Sequence, residues 1–188
     1  MAQKQQKQLK KKKKWFQIVA PKEFREEILG ETSAFEEPTL IGRRIGVNLM
    51  NLLGDPKKQN SKLVFRISEI KDGKAYTELV SYEVLQAFIR RLNRKDANKI
   101  EDSFICDTKD NIKLVFKPIL VTNNKAKNAV LTLLRQRTRE FITENTKKLN
   151  YTDVVDEVIS TNAQKSLRSF LKKVYPLSVC EFKEVTRL

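Results

Sequence analysis

The 188-residue chain contains no histidine, and that absence removes Ser-His-Asp and Cys-His catalysis along with the usual imidazole-bearing metal clusters. Glycine is scarce as well. With five in the whole chain, neither a G-x-x-x-x-G-K-[ST] phosphate loop nor a G-x-G-x-x-G turn occurs. The two cysteines, Cys106 and Cys180, are far apart and form no CxxC pair, so they read as buried thiols of a reducing compartment. No apolar run approaches the roughly 18 residues of a membrane span, and no apolar segment follows the N-terminal lysines as in a signal peptide. Glu26-Glu27 and Glu36-Glu37 are neighbouring carboxylates on one surface, not an acid and a base facing each other across a cleft. The expectation is a protein that is not an enzyme, with no catalytic residues, no cofactor and no metal site.

Positive charge is abundant. Thirty-eight basic residues oppose 23 acidic ones, a net charge of +15. Residues 1–22 carry eight lysines and no acid; subtracting those eight from +15 leaves +7 on the rest, so both tail and body are basic. Charge of this size implies a polyanion, either nucleic acid or an acidic membrane. Phosphate binding by so many lysines releases counterions and should weaken steeply with salt. The membrane reading lacks a lipidation signal, because Met1-Ala2 offers no glycine at position two. A nuclease using dispersed Asp and Glu ligands with a divalent cation is a further alternative.

Residues 1–14, MAQKQQKQLKKKKK, are of low complexity and have too little apolar surface to fold alone. The expected organisation is therefore a basic RNA-binding tail over 1–14 and a single domain over 15–188. Trp15 to Val19 has strand composition; Pro21 suits the start of a short helix through Leu29, ended by Gly30. Residues 43–49 alternate as a strand. Two hairpins follow, 63–70 with 75–82 across Asp72-Gly73, and 100–107 with 112–121, where Pro118 demands an edge or a bulge. A helix is expected over 83–94, then helices over about 124–148, 152–160 and 162–174, and a last strand that must return to the early sheet. The fold class is α+β: a small antiparallel β-barrel or sheet with a helical C-terminal part and a basic tail of disordered type.

Candidate RNA contacts follow from where the cations fall. In the tail they are Lys4, Lys7, Lys10, Lys11, Lys12, Lys13 and Lys14. Trp15 follows them, and an aromatic there suits stacking on unpaired bases. The competing role for the Trp15-Phe16 pair is anchorage of the first strand, since alternation must bury one side. Arg43 and Arg44 open the 43–49 strand. On a helix over 83–94, Arg90 and Arg94 fall one turn apart opposite Phe88, with Arg91 at the rim. On the long helix, Ala126, Val130, Leu133, Leu134 and Phe141 form the expected buried stripe and Arg135 and Arg139 point away. The same wheel places Arg137 inside that stripe, where it snorkels, stacks on Phe141 or reaches RNA past the core edge. Lys172 and Lys173 close the set.

Several segments, in order, resemble one family. KKKKKW followed by VAP and Phe24, then LIGRRIGVNLMNL (40–52), LRQRTREFI (134–142) and VYPLSVCEFKEV (174–185) are similar to stretches of the archaeal and eukaryotic small-subunit ribosomal protein family S-three-a-e. Asn48 stands where that family usually has a small residue, and Asn51 where it has Asp. The resemblance covers about 15–188. It implies a structural role on the small-subunit platform, near the mRNA exit and the 3′ end of the rRNA. The implied partners are small-subunit rRNA, neighbouring ribosomal proteins and mRNA near the exit, with no membrane, no cofactor and a cytoplasmic location in the ribosome. Eukaryotic members run longer at the C-terminus, so an archaeal or reduced member is expected. A free-standing RNA chaperone or regulatory factor is the alternative.

Overall fold

Alternation builds the first strand, β1 (Lys14–Val19): Phe16 and Ile18 turn into the core while Trp15 and Gln17 face solvent. This is a computed structural model that describes residues 12–188, and the chain divides into two compact units. The expected disordered character of the tail concerns residues that lie mostly outside those described.

The first unit comprises the chain up to Ile45 together with Phe65–Leu79. Here the expected helix through Leu29 is corrected. Only a single 3-10 turn forms, Lys22–Phe24, and Ile28–Ala34 is β2, antiparallel to β1. The physical reason is a reversal of the backbone at Arg25 and Glu26, both at positive φ, which lets the Ala20 amide donate to the Glu27 carbonyl (2.9 Å). Ile28 and Thr32, both β-branched, then suit a pleated surface better than a helix. The register slips between Ile18 and Val19, leaving Leu29 as the extra residue beside Gly30. β1 also pairs in parallel with Lys74–Tyr76, so the sheet expected to be antiparallel is mixed at this point. Phe16, Ile18, Ala34, Leu40, Ile67 and Ala75 form this unit's core, and Phe24 stands edge-on to the buried Phe65.

The second unit comprises Gly46–Val64 and Val80–Leu188. β3 (Arg44–Asn48) pairs with β4 (Ser61–Lys71), and β4 with β5 (Lys74–Val84); Asp72 and Gly73, both at positive φ, make the two-residue turn that their identities suggested. Between β3 and β4 lies the short α1 (Leu49–Leu53). β6 (Lys99–Glu101) and β7 (Phe104–Asp107) both pair with β8 (Lys113–Thr122), so the first arm of the second hairpin is broken at Asp102-Ser103. β9 (Leu177–Arg187) returns, as the topology required, between β5 and β8. β8 is thus an interior strand, and Pro118 is accommodated by a bulge opposite β9. Among the described residues the nine strands form an open mixed sheet, not a barrel. α2 (Gln86–Arg91), α3 (Asn128–Thr146), α4 (Tyr151–Ile159) and α5 (Asn162–Leu171) complete the α+β fold with its helical C-terminal part.

Candidate nucleic-acid interface

Helix α2 does not carry the arginine ladder that a 12-residue helix would present. Val84 belongs to β5, the helix begins at Gln86, and it ends at Arg91. Arg94 therefore sits in the loop before β6, not one turn above Arg90. The correction has a local cause: Ile89 is the one side chain that α2 buries, which is too little apolar surface to hold a further turn. Arg90, Arg91 and Arg94 are all exposed. Arg91 donates to the Asn60 side-chain oxygen (3.3 Å) and lies over the Phe88 ring.

On α3 the buried side chains are Leu134, Thr138, Ile142 and Thr146, spaced by four. Thr138 occupies the stripe because its hydroxyl donates to the Leu134 carbonyl (2.6 Å) and needs no other partner. This turns Leu133 outward, to 40% exposure, and Arg137 with it. Arg137 therefore lies outside the apolar stripe and pairs with Glu140 at 3.0 Å on the open surface. Arg135 is exposed. Arg139 is engaged within the protein: its Nε and Nη2 donate to the two Asp102 oxygens (2.5 and 2.6 Å), and it covers the Phe104 ring. Those hydrogen bonds hold the Asp102 carboxyl below the usual carboxylate range. A depressed native pKa contributes stability above the unfolded carboxylate pKa, near 4, that is lost as pH falls through the lower native value. Arg139→Ala is therefore expected to lower stability slightly at neutral pH, with the deficit vanishing in acid. Thermal melts of both proteins between pH 2 and pH 7 check this; a deficit that does not change with pH would contradict it.

Arg43 is likewise engaged. Its Nε donates to the Thr39 carbonyl (3.1 Å), and its Nη1 to the Thr32 hydroxyl (3.1 Å) and the Ser33 carbonyl (3.2 Å), which ties the chain ahead of β3 to β2. Arg44 is exposed at the start of β3. In the tail, Lys4, Lys7, Lys10 and Lys11 lie outside the described residues; Lys12, Lys13 and Lys14 are exposed, and Lys13 lies over the Phe35 ring. Phe16 is the member of the aromatic pair that anchors the strand, at 4% exposure, while Trp15 stands 71% exposed.

Three loops of the second unit are brought together, the first two of them by Asn98. Its amide donates to the Thr122 hydroxyl (2.8 Å), its carbonyl accepts the Thr122 amide (3.0 Å), and its side-chain oxygen accepts the Ala126 amide (2.8 Å). The Asn123 amide then donates to the Pro176 carbonyl (3.1 Å), and the Tyr175 hydroxyl to the Lys125 carbonyl (3.3 Å). The segments 92–98, 123–127 and 172–176 so joined carry Arg94, Lys95, Lys125, Lys127, Lys172 and Lys173 against one acid, Asp96. All six cations are exposed. Beside them a cleft of about 350 Å³ is lined by Asn123, Arg168, Ser169, Lys172, Pro176 and Leu177, and Arg168 is fixed there by donating to the Leu177 carbonyl (2.9 Å). Exposed cations held on ordered loops are suited to a phosphate backbone. Sequence reasoning had named Arg94, Lys172 and Lys173 separately and missed Lys95, Lys125, Lys127 and Arg168. The run TNNKAKN, with two lysines and no acid between β8 and α3, was the available signal.

Both cysteines are buried and unpaired, as their spacing suggested, and burial pushes the Cys180 thiol up to about 12. Neither is a thiolate nucleophile at neutral pH. No described helix is long and apolar enough to cross a membrane.

Comparison with known proteins decides the family. The model of the Ribosomal S3Ae family matches residues 1–188. The chain belongs to that family. Its relatives include the small ribosomal subunit protein eS1 of Nanoarchaeum equitans, 34% identical over 88% of this chain and 84% of the relative. The proteins of the same name from Haloarcula marismortui (29% identical, 93% of this chain, 82% of the relative) and Saccharolobus islandicus (30%, 93% and 84%) are similar over nearly the same span. Membership is in a family of structural ribosomal proteins, not of enzymes, and it accords with the basic, exposed character of the loops around Asn98.

Proposed function

We propose that this chain is a structural component of the small ribosomal subunit that binds rRNA, with neighbouring ribosomal proteins beside it, on the platform near the mRNA exit. The observation that carries the reading is the convergence of Arg94, Lys95, Lys125, Lys127, Lys172 and Lys173 on loops that Asn98, Tyr175 and Pro176 hold in place. Such a surface positions a protein on a duplex or folded RNA backbone without reading sequence. Arg44, Arg90 and Arg135 are exposed and free to meet phosphates on their own elements; Arg43, Arg137 and Arg139 are bonded within the protein. Contact with mRNA belongs to the same reading as a consequence of the platform position. Sedimentation of a cell lysate through sucrose tests it: the protein should remain in stoichiometric amounts with the small subunit through moderate salt. Release from the subunit at low salt, with sedimentation among free proteins, would favour an RNA chaperone or regulatory factor.

The tail supplies a separate, sequence-independent share of affinity. Seven lysines lie between Lys4 and Lys14, and deleting residues 1–14 is expected to flatten the plot of log K for rRNA against log salt. An unchanged slope would show that the tail makes no phosphate contacts. The melting temperature of the body should fall only slightly, since the deletion takes the exposed first residue of β1 and the exposed Lys13 and no buried side chain among the described residues.

A further inference from the structure

The only tryptophan of the chain stands where a protein core gains nothing from it. β1 is held on both sides, by β2 through the Lys14–Ala34 to Val19–Ile28 register and by β5 through Gln17–Lys74 to Val19–Tyr76. Phe16 and Ile18 are locked in the core on one face of this sheet, so alternation forces Trp15 onto the other. Its neighbours there are Gln17 on its own strand, Ser33 directly opposite, and Glu31 and Lys74 beside Gln17. None of these buries an indole. Glu31 and Lys74 offset each other in charge, and the lysines at 12, 13 and 14, all exposed, lead directly into the indole.

From this placement we infer that Trp15 is a stacking platform for an unpaired RNA base, with Lys12 and Lys13 drawing in the adjoining backbone. The inference rests on the RNA-binding reading above and adds the kind of RNA taken at this face: single-stranded, not duplex. A duplex presents phosphates and closes its base faces against each other. An unpaired strand offers a π-face to a rigidly held aromatic, and the interaction tolerates any base.

Because Trp15 is unique, its own emission reports the contact. The full-length protein is titrated with a dye-labelled, unstructured single-stranded RNA of about ten nucleotides, and separately with a duplex of the same sequence. Anisotropy of the label records binding and indole emission records stacking. The expected result is quenching by the single strand and little by the duplex. Trp15→Ala should weaken single-strand binding by roughly five- to 150-fold, Trp15→Leu by nearly as much, and Trp15→Phe far less. The slope of log K against log salt should be the same for Trp15→Ala as for the parent, since no charge is lost. Melting temperatures should also match, because the side chain buries no core. Binding of the single strand with unchanged indole emission, or with undiminished affinity in Trp15→Ala, would overturn the inference while leaving RNA binding intact. Equal quenching by the duplex would overturn the assignment to unpaired RNA. Failure of both RNAs to move the anisotropy would remove the RNA-binding reading itself, and this inference with it.

Discussion

Phe65→Ala is expected to lower the unfolding free energy by about 3–5 kcal/mol, a large fraction of what a domain of ordinary stability has. Phe65 lies in β4 with no exposed surface, its ring meets the edge of Phe24 at 5.6 Å between centroids, and Leu79 and Val80 are buried in the neighbouring strand. Truncation removes both the transfer of the ring from water and the packing around it, and strands fixed by register cannot collapse into the space. Urea unfolding of parent and variant measures the loss. A soluble variant that unfolds cooperatively within about 1 kcal/mol of the parent would show that this ring is not part of a packed core.

Lys125→Ala, Lys172→Ala and Lys173→Ala together should weaken rRNA binding on the order of a hundredfold or more. Charge-assisted hydrogen bonds contribute about 1.5–3 kcal/mol each, so even partial engagement of the three reaches that figure. A second triple variant separates contact from field. Lys109, Lys147 and Lys148 are also exposed, and a backbone bond from the Lys109 amide to the Leu149 carbonyl places them near the opposite end of β8, roughly 30 Å away by the rise of a ten-residue strand. Removing those three changes net charge by the same amount. Binding through specific contacts predicts a large loss for the first variant and a several-fold loss for the second. Equal losses would mean a diffuse attraction with no defined face.

Much of the fold was legible because strands announce themselves by alternation and turns by their chemistry. The β4–β5 hairpin followed from Asp72-Gly73, and the return of β9 from the alternation of SVCEFKEV. Failures came where a local pattern had two readings. Residues 21–29 hold a helix start at Pro21 and also a β-branched Ile28, and pairing with β1 decided between them. Residues 83–94 have apolar side chains at helical spacing, yet Val84 belongs to the end of a long strand and Leu92 lies past the last turn. The α3 wheel erred by one position because Thr138 is a buried polar residue, invisible to a count of apolar ones; Arg137 was misplaced for that reason alone. Helix faces also drew attention to arginines that prove to be bonded to acids, Arg137 to Glu140 and Arg139 to Asp102. The loop cluster, in contrast, is assembled by Asn98 across residues distant in sequence, and no periodicity could reveal it.

Contact with small-subunit rRNA through the loops gathered around Asn98 is tested most directly by ultraviolet cross-linking of intact cells, followed by sequencing of the attached RNA and mapping of the cross-linked peptides. The attached species should be small-subunit rRNA, with cross-links in segments 92–98, 123–127 and 172–176. Cross-links confined to the outward face of α3, or RNA other than rRNA at those loops, would contradict it.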